Sequence, residues 1–457
     1  MKHRTELLIV GVIIVAMVYT TATYAAVVQG NDTGWEQDGA QMPGNLSHNG
    51  DIRQPAIALS AAGDVTVVWS NVGVAAQRGI FAATGAGTPI TPSVALYLSE
   101  SQSLDAWAPD VAYQGEQLAA TWVQGTFPYP GTIMQQDGLT GTPHTVMAPV
   151  YGYTTPRLLV GSDRLLLFFA SADNENDWSK ADLYYAQRPF TAEDWLTPTI
   201  VITRSQANPP YGGIWYPHAA LNTNKDTVHL VWEQTAGTLA MRGVWYTRGS
   251  WQAAHQDFEW ASLTRLSSAD KESVRPKIAV DGAQRVHVTW IEQQVVPTGA
   301  GTQATLQYVS YRRFENEQWM PPLEQPAQRL DAAPVQVNTY RPTWSNIAID
   351  ARDDTVCIAW HGYRGAPGVS GQEEILLKCS RNGGKDWGTQ TTNASETPDA
   401  LSLFPALRLD ANRRIHLAWE EHQKGMIYTT NYDTYYRQGP LPRLQIFLPL
   451  IMRNYHG

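Results

Sequence analysis

Hydrophobic and polar residues alternate along this chain in short segments, and seven of these segments end on a bulky aromatic. The segments begin at Ile57, Val111, Leu158, Ala219, Ile278, Ile347 and Leu407, and 11 to 13 residues later they reach Trp69, Trp122, Phe169, Trp232, Trp290, Trp360 and Trp419. Alternation with a period of two marks a strand with one buried face. A turn midway, as at Asp281-Gly282 and Asp410-Ala411-Asn412, folds most segments into a hairpin. Six of the seven carry a proline two residues before the start: Pro55, Pro109, Pro156, Pro217, Pro276 and Pro405.

The fifth unit shows the pattern in full. Lys277-Ile278-Ala279-Val280 predicts a first strand, Val286-His287-Val288-Thr289-Trp290 a second, and Leu306 to Tyr311 a third. A polar loop with Pro297 and Gly299 is expected between the second and third, and a fourth strand runs through Val335-Gln336-Val337. Third strands recur at Leu183-Tyr184-Tyr185, Val244-Trp245-Tyr246, Ile375-Leu376-Leu377 and Met426-Ile427-Tyr428, with the β-branched and aromatic bias of a half-buried sheet. The repeat aromatics are 47 to 70 residues apart, the length of a four-stranded propeller blade with long loops. One blade cannot bury both faces of its sheet alone, so the repeat predicts a single all-β ring of seven four-stranded antiparallel blades over residues 27–437, with six blades as the alternative. The seventh unit lacks a fourth strand. Residues near 35 to 50, whose Asn45-Leu46-Ser47 matches Ser262-Leu263-Thr264 at the end of another unit, are expected to supply it and close the ring.

The chain start changes the setting. Lys2, His3 and Arg4 precede an apolar run from Leu7 to Tyr19 and then small residues to Ala26, the order of a secretory signal over residues 1–26 cleaved near Ala25 or Ala26. The run is short of the roughly 20 residues of a bilayer span; an uncleaved signal anchor is the alternative, and the one route to a membrane. The formal net charge is −9, and the signal carries +1, which leaves the mature chain near −10. An acidic exported protein is a poor partner for nucleic acid. Cys357 and Cys379 fall in successive strands of one hairpin, where they either bond across it or are two small buried residues.

Ser380-Arg381-Asn382-Gly383-Gly384-Lys385-Asp386-Trp387 resembles the Asp box (Ser-x-Asp-x-Gly-x-Thr-Trp) of the sialidase-like, BNR-repeat propellers, with Asn382 in place of the Asp and Asp386 in place of the Thr. Its spacing without the Gly recurs at Arg188 to Trp195 and Arg312 to Trp319. The resemblance implies an Asx-stabilised hairpin whose Trp wedges between blades, away from the active face. It also implies three arginines for a substrate carboxylate, where bidentate geometry matters. Arg53, in Ile52-Arg53-Gln54-Pro55, is the best match to the first, and Arg275 and Arg341 stand near equivalent strand starts. Tyr340 or Tyr363 with Glu233 or Glu292 are the candidates for the family's Tyr nucleophile and Glu base. The first-blade loop departs from the family, because Ser70 to Gly79 holds no Asp or Glu to act as acid. A missing proton donor forfeits roughly 10²–10⁴-fold in rate.

Blade topology gathers one face independently of family. Residues just after each repeat aromatic (Glu233, Glu292, His361, Glu420, Glu421) and residues at each strand start (Arg53, Asp110, Arg157, His218, Arg275, Arg341) ring a central channel, with Trp215, Tyr216 and Trp344 nearby. Such a ring is either a rim where Arg and Glu neutralise one another or a ligand site. Arg53, Arg275, Arg341, His218, His361 and Trp344 are the candidate ligand-binding residues. Asn222, Asn224 and Asp226 mimic the start of a calcium loop but form a strand turn and lack its distal Glu. Asp173, Asn174, Glu175, Asn176 and Asp177 are either a solvated hairpin or a loop that holds a cation. No His/Cys set has zinc spacing, and no cofactor or metal is expected. His229, His287 and His416 lie within second strands and are expected to be structural. Asn31, Asn45 and Asn393 are glycosylation acceptors only where the host glycosylates. The tail over residues 438–457, with Leu444 to Arg453 loosely similar to the Leu-Pro-Leu endings of some secreted bacterial proteins, is a retention signal or an extra strand. The expectation is a secreted monomer that binds or scaffolds glycans or another cell-surface ligand, with a sialidase-type exo-glycosidase as the alternative.

Overall fold

The computed structural model describes residues 44–45, 51–72, 78–85, 96–97, 104–126, 130–152, 154–174, 180–204, 212–236, 241–299, 302–331, 335–337, 346–363, 373–397, 400–423 and 432–442. The signal segment, Tyr340, Arg341, Trp344, Asn31 and the tail from Leu444 lie outside them. Among the described residues there is no α-helix, and the strands make seven antiparallel sheets. Their first strands are Asp51–Leu59, Asp105–Gln114, Arg157–Val160, Ile214–Leu221, Glu272–Val280, Ile347–Arg352 and Ala400–Leu409, numbered here as blades I to VII. In each blade the second strand pairs with the first and third, so the sheet follows chain order outward. The two-residue strand Gly44–Asn45 pairs with Tyr436 and Tyr435 in the third strand of blade VII, Tyr432–Gly439. Met426 to Tyr428, expected to form that third strand, lie outside the described residues.

The seven repeat aromatics are all sealed from solvent, six of the Trp at 0 or 1% exposure with Phe169 at 0%. They explain how the core is partitioned. It divides into seven clusters, each shared by two successive blades, and each repeat aromatic sits in the cluster against the preceding blade. Trp69 of blade I packs with Ala418 and Tyr436 of blade VII, so the ring is complete.

Blade V departs from expectation. Its second strand runs from Val286 to Gly299 and its third from Thr302 to Glu315, so the expected loop at Pro297 is a continuous ladder. Three short strands, Gln318–Met320, Gln328–Arg329 and Val335–Val337, share the outer edge of that long hairpin. Pro297 and Gly299 read locally as a loop, and only the pairing with the third strand carries the ladder through them.

Second-strand histidines are structural, as expected. Three residues before its aromatic, each imidazole meets a third-strand hydroxyl: His229 with Tyr246 at 2.8 Å, His287 with Tyr311 at 2.7 Å, His416 with Tyr436 at 2.8 Å. Burial pushes all three imidazoles below their ordinary value. Tyr246 and Tyr311 in turn receive the edges of Trp319 and Trp387 from the next blade, each with centroids 4.9 Å apart. In the turn before Trp387, Asn382 Oδ1 accepts the Asp386 N–H at 2.9 Å, and Gly383 and Gly384 take φ of 69° and 73°. Cys357 and Cys379 lie opposite one another across blade VI and form a disulfide.

Candidate functional site

Five of the six prolines that open a repeat follow a residue in the left-handed region: Gln54, Ala108, Tyr216, Arg275 and Phe404, with φ between 49° and 56°. Each lies in a β-bulge that shifts the register of the first strand. The bulge takes one N–H out of its ladder, and a buried N–H needs a partner. At three of the five bulges the preceding blade supplies it from the residue after the repeat aromatic. Arg275 donates to Glu233 Oε2 at 2.8 Å, Gln54 to Glu420 Oε1 at 2.5 Å, and Phe404 to His361 Nδ1 at 3.4 Å. Local sequence reading places Glu233, Glu420 and His361 on the channel face. They are there, but buried between blades with their acceptor atoms engaged.

The same bulges aim side chains at the axis. The first strands enclose a channel of about 130 Å³, whose wall includes Gln54, Tyr216, His218, Arg275 and Asn346. At its mouth the Arg275 guanidinium lies 3.5 Å from the centre of the Tyr216 ring. The Arg242 guanidinium lies 5.9 Å from the Trp215 ring and bridges Glu233 at 3.0 Å and Glu272 at 2.6 Å. Glu233 is completely buried; burial raises its carboxyl above the ordinary value, against the pull of Arg242 and Arg275. Burial likewise raises the Tyr216 phenol. His218 is held neutral, first by burial and then by Arg157, Lys277 and Arg408, and its Nδ1 accepts the Ile278 N–H at 3.3 Å. Asp110 takes Arg157 on both oxygens at 3.0 Å and the Leu158 N–H at 2.8 Å.

The structure therefore brings Arg275, Glu233, Tyr216 and His218 together beside the channel. Arg53 sits in the first strand of blade I opposite Ser70, and Tyr363 ends the second strand of blade VI opposite Glu373; only their backbones are described. Glu292 stands apart in blade V, buried and held by Lys271 at 2.8 Å. Sequence reading missed Arg242, Glu272, Lys277 and Arg408. Lys277 follows Pro276 directly, as Asp110, Arg157 and His218 follow their prolines, so the position after the proline was a usable signal. A larger cleft of about 720 Å³ on the turn side, between blades I, II and III, is lined by hairpin residues such as Tyr113, Glu116 and Gly138. Its Arg188 is taken up by Asp137 at 2.7 and 2.8 Å. Among the described residues no group of His, Cys, Asp or Glu can hold a metal ion, and no helix is long and apolar enough to cross a membrane.

Fold and site together define a seven-bladed β-propeller with an aromatic and cationic channel mouth. No family model and no curated protein matches the chain. Solved structures do. An α-L-arabinanase of Penicillium chrysogenum, complexed with arabinobiose, is 13% identical over 87% of this chain and 98% of its own, with a TM-score of 0.45. The NanB sialidase of Streptococcus pneumoniae is 9% identical over 87% and 69%, TM-score 0.45. A Dyadobacter fermentans protein of unknown function is 10% identical over 88% and 97%, TM-score 0.45.

Proposed function

We propose that this chain is a secreted sialidase-like propeller that binds glycans at the channel mouth, as an extracellular binding or scaffold module rather than a hydrolase. The observation that carries the reading is the state of the carboxylates. Glu233 and Asp110, beside the channel, have both oxygens engaged by Arg242, Arg275, Arg157 or a backbone N–H. A general acid or base has to reach the proton it moves with a free oxygen. Binding needs no such freedom. Tyr216 under Arg275, with Trp215 beside Arg242, offers ring faces and fixed donors of the kind that hold a sugar. Arg53, Arg341 and Trp344 complete the ring of candidate contacts in this reading, and His361 supports it from the wall between blades VI and VII.

The test is a glycan array on the purified chain, run beside turnover of fluorogenic sialosides and arabinosides. The expected result is saturable glycan binding, weakened roughly tenfold or more by Arg275→Ala, which removes a charged donor, with no turnover. Turnover of either substrate that depends on Arg53 or Arg275 would establish the exo-glycosidase instead. Neither binding nor turnover would remove the glycan reading altogether.

A further inference from the structure

Deeper in the channel the charges do not balance. Arg157, Lys277 and Arg408 come from the first strands of blades III, V and VII and line one cavity. Their carboxylate neighbours are Asp110 and Asp350. Asp110 is spent on Arg157, and Asp350 accepts the Leu409 N–H at 2.7 Å. Three cations thus face two carboxylates, with Arg275 adding a fourth at the mouth. Among the described residues the Lys277 side chain has no hydrogen bond or ion pair, and Arg408 uses one nitrogen on its own strand, at Leu407 O. Like charges converging from separate half-buried strands on one channel repel, because solvent screens them only in part. A chain held this way gains by admitting a counter-ion.

We propose that the axial channel seats one small inorganic oxyanion, held by Lys277 and Arg408 with the unbonded part of the Arg157 fork. Planar guanidinium forks match paired oxygens better than a spherical halide. The channel, about 130 Å³, is large enough for a tetrahedral oxyanion. The charge balance agrees: burial first, then Arg157, Arg275 and Arg408, push the Lys277 ammonium down to about 7. His218, facing the same cations, stays neutral across neutral pH, so the titration belongs to Lys277. The inference does not rest on glycan binding at the mouth.

Calorimetric titration of the full chain with sodium sulfate, against sodium chloride at matched ionic strength, tests it. The expected result is saturation at one sulfate per chain at pH 6, with no matching heat from chloride. Raising the pH to 8.5 deprotonates Lys277 and weakens sulfate by roughly tenfold or more, the loss of a charged donor. Lys277→Met reproduces that loss at pH 6, and the pH arm on the unmodified chain decides if the variant does not fold. Sulfate heats that never saturate, that chloride equals, or that are the same at pH 6 and 8.5 overturn the proposal.

Discussion

Glu420 in blade VII accepts the backbone N–H of Gln54 in blade I at 2.5 Å, across 366 positions of sequence. Glu233 and Arg275 repeat the relationship between blades IV and V at 2.8 Å, only 42 positions apart. At these two junctions the carboxylate directly after the indole clamps the bulge of the following blade. These acids hold the ring together where a surface reading would leave them to a ligand.

Removing that clamp should expose its worth. Glu420→Ala leaves a buried N–H without its acceptor and is expected to cost about 1–3 kcal/mol. Glu420→Gln keeps an acceptor oxygen and should cost less. Urea unfolding of the two variants gives the comparison, and equal midpoints for both and for the parent would mean the contact contributes nothing.

Trp360 is 1% exposed between blades V and VI, whereas Leu323 is 42% exposed. Truncating the buried indole should cost about 3–5 kcal/mol. Leu323→Ala should stay within about 0.5 kcal/mol. A small effect of Trp360→Ala in thermal unfolding would show that the blade junctions are not wedged as described.

Gly384 holds a φ of 73°, and a Cβ there would come within 1.9 Å of the Tyr311 hydroxyl. Gly384→Ala is thus strained twice, by backbone conformation and by contact, for an expected loss of about 1–3 kcal/mol or more. Adding Tyr311→Phe removes the hydroxyl and should return part of that loss, a coupling visible in a double-mutant cycle. Strict additivity would contradict the packing.

Acid should unfold this protein through its imidazoles. Burial pushes His229 down to about 4, and His287 and His416 are lowered too. An unfolded histidine takes up its proton near pH 6.5. Below that pH the unfolded chain binds more protons than the folded one, so stability falls as pH drops from about 6.5 to 4. His229→Asn should flatten part of that slope in denaturant midpoints measured across the window. A slope unchanged by the substitution would assign acid lability elsewhere.

The architecture was legible because its main signal is local. An aromatic at the end of a buried second strand, a proline before the first, and period-two alternation between them each follow from one blade packing on the next. Blade V shows where that legibility stops: the hairpin ladder continues beyond Gln293 through Pro297 and Gly299, residues that read locally as a loop. The site was half legible. Arg275, His218 and Glu233 were placed on the correct face, but only the fold reveals that the residue before each proline turns left-handed. That turn decides that Glu233 points into a blade junction while Arg275 reaches Tyr216. Arg242 escaped notice because it lies in a third strand and arrives at the mouth by side-chain length alone.

The junction of blades VII and I differs from the other six in one respect. Joining Gln54 to Glu420 closes a loop of 366 residues, against 42 for Arg275 and Glu233. Loop entropy growing with the logarithm of length makes that closure about 2 kcal/mol harder, for an apolar cluster no larger than its neighbours. The ring consequently has a seam. Loop closure alone makes it the joint expected to form last in folding and to open first afterwards.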